Sequence, residues 1–432
     1  MLKCIEWRKV SETERQSLME RPLQNNQIQN QVAAIISEVR KDEDDALLAF
    51  AKRFDGVSLS KLALSTLSVE PSSISKDVLN ALQTAIGTIT CYHKAMMPDT
   101  KNVETAEGVS LSRVYRPIER VGLYVPGGHK TPLISSLLMQ AIPARIAGCA
   151  TRVLCTPPTE AGTVDPALVV AAQLCGIETI YLVGGAQAIA AMAYGTASIP
   201  KLDKLFGPGN AYVTEAKCQV AFDPEGAAID LPAGPSEVMI LADEVANPEW
   251  VAADLLAQAE HGIDSQVILL CESLSMALRV KESIQTQIGN LPRRDLIKQS
   301  LQYGSVIICE DIKAQLSIVN AYAPEHLIIN RRDAASLVDF VQSAGTIFLG
   351  PWAAETMGDY VTGSNHVLPT YGFAAKFSGL GVADFLKAIS VQSVSEMGVR
   401  QLGVAAETLA IVEGLDAHAN AIRIRLNALE GL

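Results

Sequence analysis

Six histidines occur in the 432-residue chain, and four of them stand beside residues that could do acid–base or metal chemistry. Glu325-His326 follows Ala323-Pro324 and precedes an apolar Leu-Ile-Ile run. Proline fixes its own backbone angle and restricts the residue before it, so the pair leaves a defined turn. A glutamate beside a histidine offers a general base and a second carboxylate within one loop. Adjacent residues point in different directions, so the two suit separate steps better than a relay; a surface charge pair is the plainer alternative. Gln258 and His261 are three apart at the end of a helical pattern and share a face that could present an oxygen and a nitrogen to a metal. Glutamine is an unusual zinc ligand, and a helix-terminal histidine stabilised by the helix dipole accounts for the same residues without a metal. Asp359 and His366 flank Gly363 in a polar loop, and Glu413 lies five residues before His418 in a helical tail. Each of these is open to a ligand reading and to a surface one. His93 and His129 have no companion motif and read as structural or surface residues.

Three glycine-rich turns stand at strand ends: Gly127-Gly128, Gly184-Gly185 and Gly207-Pro208-Gly209. The dinucleotide fingerprint Gly-x-Gly-x-x-Gly is absent, because Tyr212 occupies the third glycine position of the last turn. Backbone N–H groups at the following helix start could still hold a phosphate, and a tight turn is the alternative. Together the turns imply a ligand crevice without naming its ligand.

The elements that must position these residues alternate. Val153-Leu154-Cys155, Thr179–Val183 and Lys204–Phe206 read as strands between helices at Pro166–Gly176, Ala186–Tyr194 and Ala211–Val220. After a Pro/Gly hinge at Asp230–Pro235 the alternation resumes, with strands at Glu237–Leu241, Gln266–Cys271, Ser305–Cys309, His326–Ile329 and Gly345–Leu349. Such alternation means βαβ units and parallel sheets. A helical extension over residues 1–24, capped at Ser11 and ended by Pro22, precedes the alternation, and only helical patterns are expected after Gly381. The chain therefore reads as α/β. One parallel-sheet domain (25–123 and 237–380) carries an inserted second one (124–236), and a helical tail over 381–432 closes the chain.

Composition narrows the function. Hydrophobic residues make up 49% and aromatics 5%, as suits sheets covered on both faces. A net charge of -12 argues against nucleic acid as the main partner. No apolar run approaches the ~20 residues that span a bilayer, and the charged start lacks a signal-peptide core. Eight scattered cysteines without a C-x-x-C pair read as buried small hydrophobes in a reducing compartment, with Cys149 and Cys155 at a strand start the least settled. The expected location is cytoplasmic.

The segments "VGLYVPGG", "PARIAGC", "VGGAQAIAAMAYG", "FGPGNAYVTEAK", "IDLPAGPSE", "LLAQAEHG", "YAPEHL" and "GDYVTGSNHVLPTYG" resemble the histidinol dehydrogenase family in order and spacing, from about residue 28 to the tail. The resemblance implies two incomplete Rossmann-like domains, NAD as hydride acceptor and zinc as metal. It implies zinc ligands at Gln258, His261, Asp359 and His418, and catalytic residues at Glu325 and His326. Substrate contacts would come from Ser236, His366 and Glu413 together with His326 and the ligands, and NAD contacts from Tyr124, Gln187 and Asn210. It further implies a homodimer in which the tail carrying Glu413 and His418 completes the partner's site. The chain departs from the family pattern at His129-Lys130-Thr131-Pro132, which is more basic, and at Trp352-Ala353-Ala354-Glu355, which is less polar.

The reaction so implied is a four-electron oxidation of L-histidinol through histidinaldehyde to L-histidine. His326 would serve as base in both oxidations and Glu325 would activate the intervening water. Alternatives are a paralogue that oxidises another polar alcohol and, from a different class, a zinc hydrolase with no need of NAD.

Overall fold

The computed structural model describes residues 2–21, 27–128, 131–231 and 234–431. Pro22, His129-Lys130 and the Pro232-Ala233 part of the expected hinge lie outside them. Two six-stranded sheets carry the architecture. The first is parallel throughout, in the order β1 (Lys3–Glu6), β14 (Ser305–Ile308), β13 (Gln266–Cys271), β12 (Glu237–Ala242), β15 (His326–Asn330), β16 (Thr346–Leu349). The second runs β11 (Ala228–Ile229), β10 (Lys204–Phe206), β5 (Arg120–Tyr124), β8 (Thr151–Thr156), β9 (Thr179–Leu182), β2 (Ala63–Ser65), with only the β2–β9 pair antiparallel. Every residue of β12, β13 and β15 is buried. Successive side chains enter cores on opposite faces, Val238 and Ile240 on one side and Met239 and Leu241 on the other. Helices covering both faces remove the polar alternation of a half-exposed sheet, which is why these strands read as unbroken apolar runs. A third sheet is antiparallel, β17 (Leu386–Val394) against β4 (Val109–Pro117) and β3 (Lys101–Ala106), and a short ladder joins β6 (Gly127–Gly128) to β7 (Thr131–Pro132).

The α/β expectation agrees with this architecture, and three details differ. Ala63–Ser65 and Arg120–Leu123 were expected with 237–380 and instead pair into the second sheet. In β5, glycine at 122 leaves room for Met192, Leu202 and Leu205 to close on the strand. The N-terminal extension holds the expected helix Glu12–Met19 with its Ser11/Glu14 capping box, but an edge strand precedes it, with Ile5 buried in the strand and Leu2 buried just before it. The tail is not purely helical, because Leu386–Val394 pairs along nine positions with β4 before the helices Glu396–Val412 and Asp416–Glu430. That strand is exposed on both faces, so it carries no burial pattern to betray it.

All eight cysteines are free. Cys4 and Cys91 are exposed and Cys218 half-buried, against the expectation of burial, while Cys149, Cys155, Cys175, Cys271 and Cys309 are buried. Among the described residues no helix is long and apolar enough to cross a membrane.

Candidate functional site

The helix Ile312–Tyr322 ends on Ala323 in the left-handed region (φ 51°), a conformation that costs an L-residue roughly 1–2 kcal/mol. Pro324 follows, and the chain drops into β15 with Glu325 and His326 at its mouth. Both side chains are buried, and one residue of the neighbouring strand holds both. The Glu237 N–H donates to Glu325 Oε2 at 2.8 Å, and the Glu237 carbonyl lies 3.1 Å from His326 Nδ1. A carbonyl only accepts, so Nδ1 carries the proton and Nε2 keeps a free lone pair. That Nε2 is buried with no hydrogen-bond partner among the described residues and sits 3.7 Å from Asp359 Oδ1. Burial above all pushes the His326 pKa down to about 3, so the imidazole stays neutral at neutral pH. Glu325 moves the other way, well above the usual carboxylate range, because it is buried and faces the Glu237 and Asp359 carboxylates.

Beside this pair lies a group of metal-binding type. Ligand atoms of His261, Glu355 and Asp359 all fall within 4.8 Å of one another. Gln258, fully buried on the last turn of the helix Pro248–Ala259, packs against Glu355. With its amide oriented to satisfy both ends, its nitrogen donates to the Glu355 carboxylate and its oxygen accepts from the Glu237 N–H at 3.3 Å. Glu355 and Asp359 stand on one face of the short helix Glu355–Tyr360. Burial pushes Asp359 up to about 7 and Glu355 well above its ordinary range, where Asp359 and Glu325 add repulsion. His366 Nδ1 is 2.8 Å from the Asp359 main-chain oxygen, and burial first and His261 second push its pKa down to about 4. Clustered carboxyls that resist ionisation, beside neutral imidazoles, are what a divalent cation would relieve, and an N/O donor set suits zinc.

Of the residues named from sequence, the structure brings Gln258, His261, Glu325, His326, Asp359 and His366 into one centre, with Ser236 next to Glu237 on the adjoining strand entry. Glu413 and His418 stand apart, exposed at the junction and start of the two tail helices. Glu355 and Glu237 were missed. Two carboxylates four apart, Glu355 and Asp359, were the available signal for the first; nothing in the pattern marks the second.

The proposed cofactor residues meet elsewhere, at the carboxyl ends of the second sheet. Tyr124 ends β5, Gln187 lies in the first turn of the helix Gly185–Tyr194, and Asn210 caps the helix Ala211–Phe222. All three line a cleft of about 740 Å³, together with Pro126, Pro157, Gly185 and Asp55. The Gly185 N–H donates to the Tyr124 hydroxyl at 3.0 Å, and the Asn210 Oδ1 accepts from the Tyr212 and Val213 N–H groups. Gly207 (φ 119°) closes the adjoining loop where a Cβ would strike the Tyr124 carbonyl. The N–H of Gly207 donates to Asp230, and Lys217 ties its carbonyl to the same aspartate.

An α/β protein with a glycine-lined crevice on one sheet and a histidine–carboxylate centre on the other has parts that suit a dehydrogenase. Residues 18–426 match the family profile described as histidinol dehydrogenase. The chain is 56% identical to a histidinol dehydrogenase of Legionella pneumophila over 429 residues, covering 99% of this chain and 100% of that one. It is 46% identical to the Salmonella typhimurium histidinol dehydrogenase over 430 residues, covering 99% and 98%. The crystal structure of histidinol dehydrogenase from Elizabethkingia anophelis superposes with a TM-score of 0.95 at 41% identity, covering 99% of both chains. The chain belongs to the histidinol dehydrogenase family and is an oxidoreductase.

Proposed function

We propose that this protein oxidises L-histidinol to L-histidine through histidinaldehyde, with two NAD as acceptors and a zinc-type metal at the buried centre. The observation that supports this most is the free, neutral Nε2 of His326, which faces the His261–Glu355–Asp359 group. Zinc, when bound, would orient the substrate's imidazole and amine, and NAD would take a hydride in each oxidation. Gln258, His261 and Asp359 would hold the metal with His418 of a second copy; Tyr124, Gln187 and Asn210 would line the NAD side.

His326 Nε2 takes the hydroxyl proton as the first hydride leaves the carbinol carbon, which gives the aldehyde. Glu325 draws a proton from water as its oxygen adds to that carbon. His326, having released its first proton to solvent, then takes the remaining hydroxyl proton of the hydrate anion as the second hydride departs, which leaves the carboxylate. Each general acid–base role contributes about 10²–10⁴ in rate. Ser236 and His366 border the substrate.

The tail supports a homodimer. Val404, Leu409, Ile411 and Val412 lie exposed on one helix, with Ile389 and Val391 exposed on the preceding strand. A face this apolar suits burial by a second copy, and we infer that Glu413 and His418 thereby reach the other subunit's centre. The test is NADH formation with histidinol against other amino alcohols. Histidinol should be strongly preferred; equal rates with alcohols that lack an imidazole would favour a paralogous dehydrogenase, and turnover without NAD a hydrolase.

A further inference from the structure

We propose that the buried Arg21–Glu237 ion pair is the positioning element of the Glu325–His326 couple, which makes the N-terminal segment part of the catalytic apparatus. The inference rests on the reading that this couple does the chemistry. Both catalytic side chains hang on the main chain of one residue, Glu325 on the Glu237 N–H and His326 on the Glu237 C=O. Glu237 is the first residue of β12, so the strand continues to only one side of it. On the other side the Gln266 N–H donates to the Ser236 carbonyl at 3.0 Å, and the Glu237 carboxylate adds a further anchor. Oε1 accepts from Arg21 Nε at 2.5 Å and from the Tyr371 N–H at 3.1 Å, and Oε2 accepts from Arg21 Nη2 at 3.0 Å.

Arg21 is held in turn by the segment that delivers the couple. Its Nη2 donates to the Tyr322 carbonyl at 2.7 Å, and its guanidinium stacks 3.9 Å over the Tyr322 ring. Tyr322 ends the helix from which Ala323-Pro324 turns into Glu325-His326. One side chain thus joins the residue that hydrogen-bonds the couple to the turn that carries it. Arginine suits this place because its planar fork takes a carboxylate at two points and a carbonyl at a third, which an ammonium cannot do in one plane. Without the cation, Glu237 would be a second buried carboxylate beside Glu325 with nothing to balance it. A purely structural anchor for residues 2–21 would use the same contacts, and the two roles separate in kinetics.

The experiment uses the full-length, zinc-loaded protein and compares Arg21→Lys with the parent. Lysine keeps the charge and loses the fork. The expected result is a kcat lower by about 10–100-fold, the scale of a misplacement near 1 Å, with KM for histidinol and NAD, zinc content and melting temperature all close to the parent. In Arg21→Ala the loss should be deeper, and millimolar guanidinium ion should restore part of kcat. A folded Arg21→Lys protein with kcat within about twofold of the parent overturns the inference, as does a loss carried by KM or an Arg21→Ala protein that guanidinium leaves unchanged. Should the arginine variants not fold, Glu237→Gln decides: the same kcat-only loss supports positioning, and an unchanged kcat refutes it. His326→Asn separates the two levels, because full activity there would remove the underlying reading whatever Arg21 does.

Discussion

Replacing Glu325 by glutamine removes one proton acceptor and almost nothing else. The glutamine oxygen can still accept from the Glu237 N–H where Glu325 Oε2 does so at 2.8 Å, and the side-chain volume is kept. The buried carboxylate it replaces is held well above its ordinary pKa by burial and by Glu237 and Asp359, so the neutral amide also relieves repulsion. Stability should therefore hold or rise. The first oxidation, whose proton goes to His326, should stay within about threefold of the parent, far below the tenfold that 1.36 kcal/mol of barrier represents. The water addition should fall by about 10²–10⁴, the usual worth of a general base, or roughly 3–5 kcal/mol. Rapid mixing with histidinol should then show the first NADH at the parent rate and the second greatly delayed, and supplied histidinaldehyde should turn over slowly from the start. Equal loss in both half-reactions, or a fall in melting temperature that matches the loss, would refute the division of labour.

His326→Asn should lower alcohol oxidation by at least about 10² while leaving zinc content intact, and loss of zinc in that variant would make the residue a ligand instead. Metal uptake should weaken as pH falls through about 7, where Asp359 takes up its proton, and uptake near neutrality should release protons. Calorimetric heats that do not depend on buffer ionisation would contradict this. Gly207→Ala would force a Cβ against the Tyr124 carbonyl at φ 119°. It should cost about 2–4 kcal/mol in denaturant unfolding and weaken NADH binding; a protein of unchanged stability would show that the loop yields freely. A chain ending at Ser395 loses the helices with the exposed Val404 and Val412. It should sediment as an inactive monomer, and an active dimer would place the interface elsewhere.

The parallel sheets were legible because strands buried on both faces spell continuous apolar runs, as in Val238–Ala242 and Val267–Cys271. The crevice was legible for a related reason: glycine turns at the carboxyl ends of the second sheet mark where such sheets bind ligands. The acid–base centre breaks that rule. Glu237 and His326 open their strands, and Gln258 lies on the last turn of its helix, so the centre lies at the amino edge of the first sheet. Its members looked like surface residues one at a time because what makes them chemical is their packing together, which buries Gln258, Glu325, His326 and Asp359. Leu386–Val394 escaped for the opposite reason, since a strand exposed on both faces has no period to read.

The central claim is that one buried centre carries out two successive oxidations with a metal as template. The most direct measurement is NADH formed per histidinol consumed, on zinc-loaded protein and on the same protein stripped by a chelator. The account predicts two NADH and one histidine per histidinol in the loaded protein, no turnover in the stripped one, and recovery on adding zinc. One NADH with free aldehyde, or full turnover without metal, would contradict it.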